Sequence, residues 1–465
     1  MHIAFDNSYA ALPAAFHTRL DPTPVKAPRM LAWNDGLAAD LGLSGDPDPA
    51  IWAGNTVPDK AAPLAQLYSG HQFGTYNPQL GDGRAILLGE VIDNRGLRRD
   101  IQLKGSGPTP YSRMGDGRAW LGPVLREYVV SEAMHALGIP TTRALAATST
   151  GEPVYREQGG LPGAVLTRVA SSHLRVGTFQ VFAYRGQIDD LKTLTAYALE
   201  RHYPQADGWA GLLRAVCAAQ AALIPAWMSV GFIHGVMNTD NCSIPGETID
   251  YGPCAFMDSY DEMRVFSSID QSGRYAFGMQ PRIAVWNMAQ FATALIQQAD
   301  DVEAAAKEAT EIVHAMPAQI HTHWRTRFGR KIGLLDALPE DEPLIEDLLR
   351  LMQQDGADFT NTFRALNTDN AQDQVLNRAD FDAWRARWKE RLKAEATPEE
   401  TMAAANPAII PRNHQIEAMI AAAVDSDMAP FERLRTAFST PFTDDTELAR
   451  APAQHEIVPA TFCGT

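Results

Sequence analysis

The sequence predicts an α+β chain in which a strand-rich part with one helix precedes a larger helical part and a helical C-terminal extension. Three observations point there. Short apolar or alternating segments separated by Gly- and Asp-containing turns fill residues 64–175. Helical apolar spacing takes over beyond about residue 190. The chain has 465 residues, 45% of them hydrophobic and 21% charged, enough for several packed units without any low-complexity tract. The divisions read as an N-terminal wrap at 1–60, a strand-rich lobe at 61–180, a helical lobe at 181–335 and an extension at 336–465.

Residues 1–60 are rich in Pro and short apolar pieces, and predict little regular structure. Ala85–Ile92 (AILLGEVI) reads as an apolar strand, Asp93-Asn94-Arg95-Gly96 as a hairpin turn, and Arg99–Leu103 (RDIQL) as the returning strand. A helix follows: Pro123 suits its first turn, VLREYVVSEAMHAL has helical spacing, and Gly138 stops it. Leu161–Arg168 is a further strand. Beyond it, 209–230, 283–297 and 302–316 are the clearest helices, 340–395 is charged and helical, and 413–424 is a short Ala-rich helix.

Composition excludes several function classes. The net charge of −16 opposes a generic nucleic-acid binder, which needs a basic face for phosphates. Four scattered cysteines (Cys217, Cys242, Cys254, Cys463) make no CxxC pair and no disulfide framework. The first residues, MHIAFD, lack the basic and apolar regions of a signal peptide. The uncharged run from Ala215 to Ile233 is interrupted by Gln220, Pro225, Ser229 and Gly231, and reads as a buried helix. The expectation is a cytoplasmic protein without nucleic-acid or membrane partners.

Residues 81–180 depart from this acidic average, with twelve Lys+Arg against nine Asp+Glu. Eleven of the twelve are Arg, and Lys104 is the only lysine between Lys60 and Lys192. Arginine forks suit phosphate oxygens, whereas one isolated lysine suits a compact ammonium at a defined spot. The pentapeptide GDGRA occurs twice, at 81–85 and 115–119, each copy placed where a glycine loop could approach a phosphate.

In the helical part, His234-Gly235-Val236-Met237-Asn238-Thr239-Asp240-Asn241 precedes Asp250-Tyr251-Gly252. Kinase-like phosphotransferases carry a loop H-[RG]-D-x-x-x-x-N followed by a D-F-G-like triplet, whose Asn and second Asp hold Mg²⁺. Asn241 and Asp250 fall on those positions. The usual base position is Val236, and an aspartate stands four residues later at Asp240. The partners such a site needs lie upstream in kinase order. Gly81-Asp82-Gly83-Arg84 is the glycine loop, Lys104 ends a strand, and Glu127 on the next helix can pair with it, with Glu132 as the competing candidate. Arg168 and Arg175 are seven residues apart, within reach of one polyphosphate. The missing base and the extra arginines point the same way, because an enzyme attacking the α-phosphorus must grip β and γ as leaving pyrophosphate.

The chain resembles the selenoprotein O (YdiU-type) family of protein adenylyltransferases. The phrases that carry the resemblance are DNSY (6–9), LYSGHQFGTYNPQLGDGRA (67–85), LKGSGPTPYSRMGDGRA (103–119), SEAMHALGIPTTRAL (131–145), HGVMNTDN (234–241), IDYGP (249–253), NPAIIPRNH (406–414) and FCGT (462–465). The resemblance implies a pseudokinase-like bilobal fold that binds ATP in a flipped orientation. It implies transfer of AMP to Ser, Thr or Tyr hydroxyls of proteins, with release of pyrophosphate and dependence on Mg²⁺ or Mn²⁺. It also implies roles at matching positions. Gly81, Gly83 and Arg84 make the glycine-loop contacts. Lys104, Asp116, Gly117, Arg168 and Arg175 bind nucleotide, Glu127 orients Lys104, Asp240 accepts the proton, and Asn241 and Asp250 hold the metal, Asp250 also touching the nucleotide. The alternatives are UMP transfer with Mn²⁺, a true kinase, which Val236 disfavours, and a nucleotide-binding scaffold, which has no need of metal ligands.

Two places depart from the family pattern. Phe266 stands where many members have a cysteine after the DYG-like triplet, which leaves Cys254 as the candidate partner of Cys463. Trp120-Leu121-Gly122-Pro123 replaces a more polar run before the helix.

Overall fold

The alternation at 85–104 folds as expected. Ala85–Ile92 and Arg98–Lys104 pair antiparallel. The Asp93 carboxylate accepts from the amides of Arg95 and Leu97, and Gly96 takes the left-handed φ of 78° that the turn requires. The computed structural model describes residues 1–157, 159–368 and 370–462.

Ten strands precede residue 171: β1 (His17–Arg19), β2 (Arg29–Trp33), β3 (Leu64–Gln66), β4 (Gly70–Gln72), β5 (Thr75–Asn77), β6 (Ala85–Ile92), β7 (Arg98–Lys104), β8 (Ala119–Trp120), β9 (Arg143–Arg156) and β10 (Gly159–Ala170). Eight form one antiparallel sheet in the order β1-β3-β6-β7-β10-β9-β2, with β8 also pairing β10. β4 and β5 make a separate hairpin. The prediction of little regular structure in 1–60 fails here, because β1 and β2 form the two edges of the sheet. At three and five residues they are too short to show periodicity, and they take their pairing from β3 and β9. Two short helices, α1 (Asp35–Asp40) and α2 (Pro49–Trp52), fill the same stretch.

Helix α3 (Leu121–Ala136) begins two residues before Pro123, which falls in the first turn where no intrahelical bond is lost. It stops before Gly138, at φ 73°. Leu125, Val129 and Met134 bury against the sheet and carry Glu127 inward with them.

The helical part comprises α4 (Val176–Tyr184), α5 (Ile188–His202), α6 (Gly208–Ser229), then a two-stranded ribbon β11 (Phe232–Ile233) and β12 (Ala255–Phe256), α7 (Gln280–Leu295) and α8 (Val302–Lys331). α6 holds the uncharged run. It is long and apolar enough to cross a membrane, yet 67% of its most apolar window is buried inside the protein. α8 is thirty residues long and runs through Pro317, where the sequence suggested an end. Proline costs an interior helix about 3 kcal/mol, and each large apolar side chain buried beyond it returns about 1.5–3 kcal/mol. Ile320 and Phe328 continue the buried face that Ile312 and Met316 begin.

The extension adds α9 (Glu342–Asp355), α10 (Phe359–Ala365), α11 (Arg378–Leu392), α12 (Pro398–Ala405), α13 (Asn413–Val424) and α14 (Ala429–Ala437). α13 and α14 pack on α3. Phe431 meets the Tyr128 ring edge-on at 5.6 Å, and Arg126 forms an ion pair with Glu417. The extension therefore braces the helix that carries Glu127.

Candidate functional site

Lys104 ends β7 pointing toward α3, and its Nζ lies 2.6 Å from Glu127 Oε2 and 2.5 Å from Asp250 Oδ1. Glu132 is not its partner; that carboxylate binds Arg143, Asn34 and the amide of Ala144. Arg168, near the end of β10, reaches the same two acids at 3.2 Å and 3.1 Å and donates to Gln102 Oε1 at 2.6 Å. Arg175, which precedes α4, lies 3.8 Å from Asp250 Oδ2 and 3.6 Å from Asp82 Oδ1, donates to the Asp240 carbonyl at 3.2 Å, and sits 4.3 Å above the Tyr68 ring. Three cations therefore converge on Asp250. Against the effect of burial, Lys104, Arg168 and Arg175 hold its carboxyl well below the usual carboxylate range.

A cavity of about 660 Å³ adjoins this cluster and is lined by both copies of the glycine pentapeptide. Gly81, Gly83 and Arg84 face it from one side, and Asp116, Gly117 and Arg118 from the other, with Tyr68, Gln72 and Asp240 at the inner end. The two loops are tied together. Thr109 Oγ1 donates to the Asp82 carbonyl at 2.7 Å, and Ser112 Oγ donates to the Gly83 carbonyl. Two glycines are required by geometry. Gly81 has φ 68°, and a Cβ there would lie 2.3 Å from the Tyr111 ring. Gly117 has φ 67°, and a Cβ there would lie 2.2 Å from the Gly107 backbone. The Asp116 carboxylate is held by Arg156 at 2.8 Å and by the Arg118 amide at 2.9 Å, so its first task is to fix this loop.

The two helical-part motifs interlock. His234 Nε2 lies 2.9 Å from the Ile249 carbonyl, and Gly235 packs where a Cβ would come within 2.8 Å of the Pro253 carbonyl. Asp250 itself adopts φ 65°, a conformation that costs a non-glycine residue of order 1–3 kcal/mol and is found at functional sites. Val236, at the kinase base position, is buried and supplies no carboxylate. Asp240 is the aspartate of this loop that faces the cavity. Burial pushes its carboxyl up to about 6, against the pull of Arg175. Gln72 Nε2 donates to its Oδ2 at 3.3 Å, while Oδ1 is buried with no protein partner.

Oxygen donors suit a hard divalent cation. The Asp250 carboxylate and the Asn241 amide oxygen are donors of that kind, and the buried Asp240 Oδ1, without a hydrogen-bond partner among the described residues, is a further unsatisfied oxygen at the cavity. Asn241 follows Asp240 in the short 3-10 turn Thr239–Asn241, with its Nδ2 tied to the Val236 carbonyl at 2.9 Å. That bond leaves the amide oxygen as the atom available to a cation. These oxygens suit a hard divalent cation.

The structure thus brings Gly81, Gly83, Arg84, Asp116, Gly117 and Asp240 around one cavity, with Lys104, Glu127, Arg168, Arg175 and Asp250 in one ion network beside it. Asn241 lies next to Asp240 in the chain and outside the cavity lining. Sequence reading missed Asp82, Tyr68, Gln72, Gln102 and Arg156. Asp82 was visible as the middle of the repeated GDG, and its burial raises its pKa beside Arg175. Tyr68 and Gln72 lie inside the phrase at 67–85 without an assigned role, and Gln102 and Arg156 carry no motif signal; only the fold brings them in. Cys463 lies outside the described residues, and Cys254 is a buried thiol whose pKa burial pushes up to about 12.

Comparison with known proteins agrees with this geometry. A family model described as protein adenylyltransferase SelO matches residues 1–439. A protein nucleotidyltransferase YdiU of Roseobacter denitrificans is 68% identical over 465 residues, covering 99% of each chain. Proteins of the same name from Ruegeria sp. and Bradyrhizobium diazoefficiens are 66% and 53% identical over the full length of both partners.

Proposed function

The chain belongs to the SelO family of protein adenylyltransferases, and from that premise we propose how its own residues perform the transfer. As a nucleotidyltransferase it uses ATP as substrate, a divalent metal, and protein acceptors. We infer a kinase-like bilobal arrangement, with 61–180 and 181–335 as the two lobes, 1–60 as a wrap and 336–465 as a brace. The observation that supports it best is the meeting of a strand lysine, a helix glutamate and a post-loop aspartate in kinase order, at Lys104, Glu127 and Asp250.

ATP enters the cavity with its polyphosphate against the glycine loops and the Lys104, Arg168 and Arg175 cluster. Those three cations, fixed by buried acids before substrate arrives, neutralise charge developing on pyrophosphate as the bond to the α-phosphorus breaks. Lys104 meets the nucleotide at the end of a rigid strand, and Glu127 holds its ammonium in place. Asp240 takes the proton from the incoming Ser, Thr or Tyr hydroxyl as that oxygen attacks the α-phosphorus. A carboxyl with a pKa of about 6 is mostly ionised at neutral pH and still basic enough to accept a proton. Asn241 and Asp250 would hold the Mg²⁺ or Mn²⁺, which supplies charge neutralisation to the phosphates. The test is intact-mass spectrometry of acceptor proteins after incubation with ATP and metal. An added AMP supports the reading, and an added phosphate overturns it.

A further inference from the structure

The β4–β5 hairpin links Asp240 to a surface that the transfer chemistry does not use. At its inner end Gln72 donates to Asp240 Oδ2, and Gly70 packs so closely that a Cβ would meet Asp240 Oδ1 at 2.7 Å. Its tip is fixed from the same loop, since Asn238 Oδ1 accepts from the Phe73 amide at 3.1 Å and from the Tyr275 hydroxyl at 2.7 Å. On the outer side Gly74 lies beside the Arg274 guanidinium, with a Cβ position 3.6 Å from its central carbon. Arg274 also stacks over the Trp286 ring at 4.7 Å. The hairpin thus runs from the contact with Asp240 at Gln72 to the Arg274 guanidinium beside Gly74.

Arg274 is unlike the cations of the active site. Among the described residues it forms no ion pair with a carboxylate, in a chain of net charge −16. The carboxylate nearest in sequence, Asp270, accepts instead from the backbone amides of Arg274 and Tyr275. The guanidinium is half-buried and its Nε has no protein partner. The Trp286 and Tyr275 rings hold it flat and the Tyr275 hydroxyl takes one contact, while no carboxylate among the described residues competes for the remaining donors, which is how an arginine is presented to a carboxylate. Phe73 and Gly74, both left-handed at φ 51° and 85°, form the tight turn after Gln72, so Gln72 and Gly74 are roughly 5–6 Å apart along the backbone, to which side-chain reach adds several ångströms. An acceptor segment lying extended across the hairpin covers that distance in two or three residues.

We propose that Arg274 is a specificity residue for the protein acceptor, binding an acidic side chain two or three residues from the hydroxyl that receives the nucleotide. This rests on the transferase reading above. It predicts that modified sites are Ser, Thr or Tyr with Asp or Glu at that spacing, and that Arg274 affects the choice of acceptor through KM.

The test uses the full chain, α-labelled ATP and synthetic peptides carrying a single Thr, with Glu, Gln or Lys placed one to four residues to either side. The expected result is a preference for Glu over Gln of roughly fivefold in kcat/KM at two or three residues on one side, the worth of one partly exposed ion pair. Arg274→Gln loses that ratio, and Arg274→Glu inverts it in favour of Lys. Because each ratio is measured within one variant, a general loss of folded enzyme does not imitate the effect. Equal rates for Glu, Gln and Lys peptides, or a Glu preference that survives in Arg274→Gln, overturns the proposal. Label on no peptide and on no protein would instead bring down the transferase reading, and this inference with it.

Discussion

The ammonium of Lys104 lies 2.5 Å from Asp250 Oδ1 across 146 residues of chain, joining the last residue of a strand to the turn after the helical-part loop. Glu127 is only 4% exposed and Lys104 13%, so neither partner can fall back on water if the other is removed. Lys104→Met is therefore expected to weaken ATP binding and also to destabilise the fold by about 3 kcal/mol, the cost of leaving buried acids short of a cation. Denaturant unfolding beside ATP titration checks both effects. An unchanged unfolding midpoint would show that Arg168 alone suffices for the two acids.

Asp240 should set the acid limb of the pH–rate profile. Its carboxyl is raised to about 6 by burial, so the reactive carboxylate form is lost as pH falls through 6. The rate should be level above about pH 7 and drop about tenfold per pH unit below 5. Asp240→Asn should cost about 10²–10⁴-fold in kcat while ATP affinity stays within a few-fold. A profile that is flat from pH 5 to 8 would remove Asp240 from the proton-accepting role.

Gly81 and Gly96 share a left-handed backbone but differ in surroundings. A Cβ at Gly81 would strike the Tyr111 ring, whereas nothing lies within 4 Å of one at Gly96. Gly96→Ala should cost only backbone strain, about 1 kcal/mol, with ATP affinity untouched. Gly81→Ala should displace Tyr111 and the facing loop, and weaken ATP binding at least tenfold. Calorimetric titration of the two variants separates strain from site geometry.

Stability should fall on mild acidification. His173 is buried and His202 half-buried, and desolvation is the main cause that lowers their pKa values to about 4 and about 3, so both are neutral at pH 7. Unfolded histidines take up protons below about pH 6.5, while these two do not until the pH is far lower. Their contribution is thus complete above pH 6.5 and lost as pH falls toward 4, on the order of 3 kcal/mol per histidine. Thermal unfolding at pH 7.5, 6 and 5 should show a steadily decreasing Tm. Replacing both residues with glutamine should flatten the trend.

Much of the site was legible because its residues sit in short phrases whose spacing carries the chemistry. Lys104 and Glu127 could be paired on paper because a kinase-like site joins a strand lysine to a glutamate on the following helix, here 23 residues on. The Asp116 carboxylate was harder to read. As a nucleotide contact it rested on resemblance, and the structure shows it committed first to Arg156, a residue on a strand the sequence did not reveal. That strand, β9, carries Gly151 and Pro153, which read as turn residues, but it tolerates them where the β10 register shifts opposite Pro162. The edge strands β1 and β2 were hidden by their length, and the second half of α8 by Pro317. Arg274 has no local signal, and Gln72, though inside the phrase at 67–85, takes its role only from long-range packing; the two are placed by contacts with Trp286 and Asp240.

The most direct test of AMP transfer through Asp240 supplies ATP labelled in parallel at the α- and the γ-phosphate, with Mg²⁺ or Mn²⁺ and a mixed protein extract. The parental chain and Asp240→Asn are compared. Label retained on protein from the α position only, and lost in the variant, is the predicted result. Label retained from the γ position would make the chain a kinase, with a base other than Asp240, and would contradict the account.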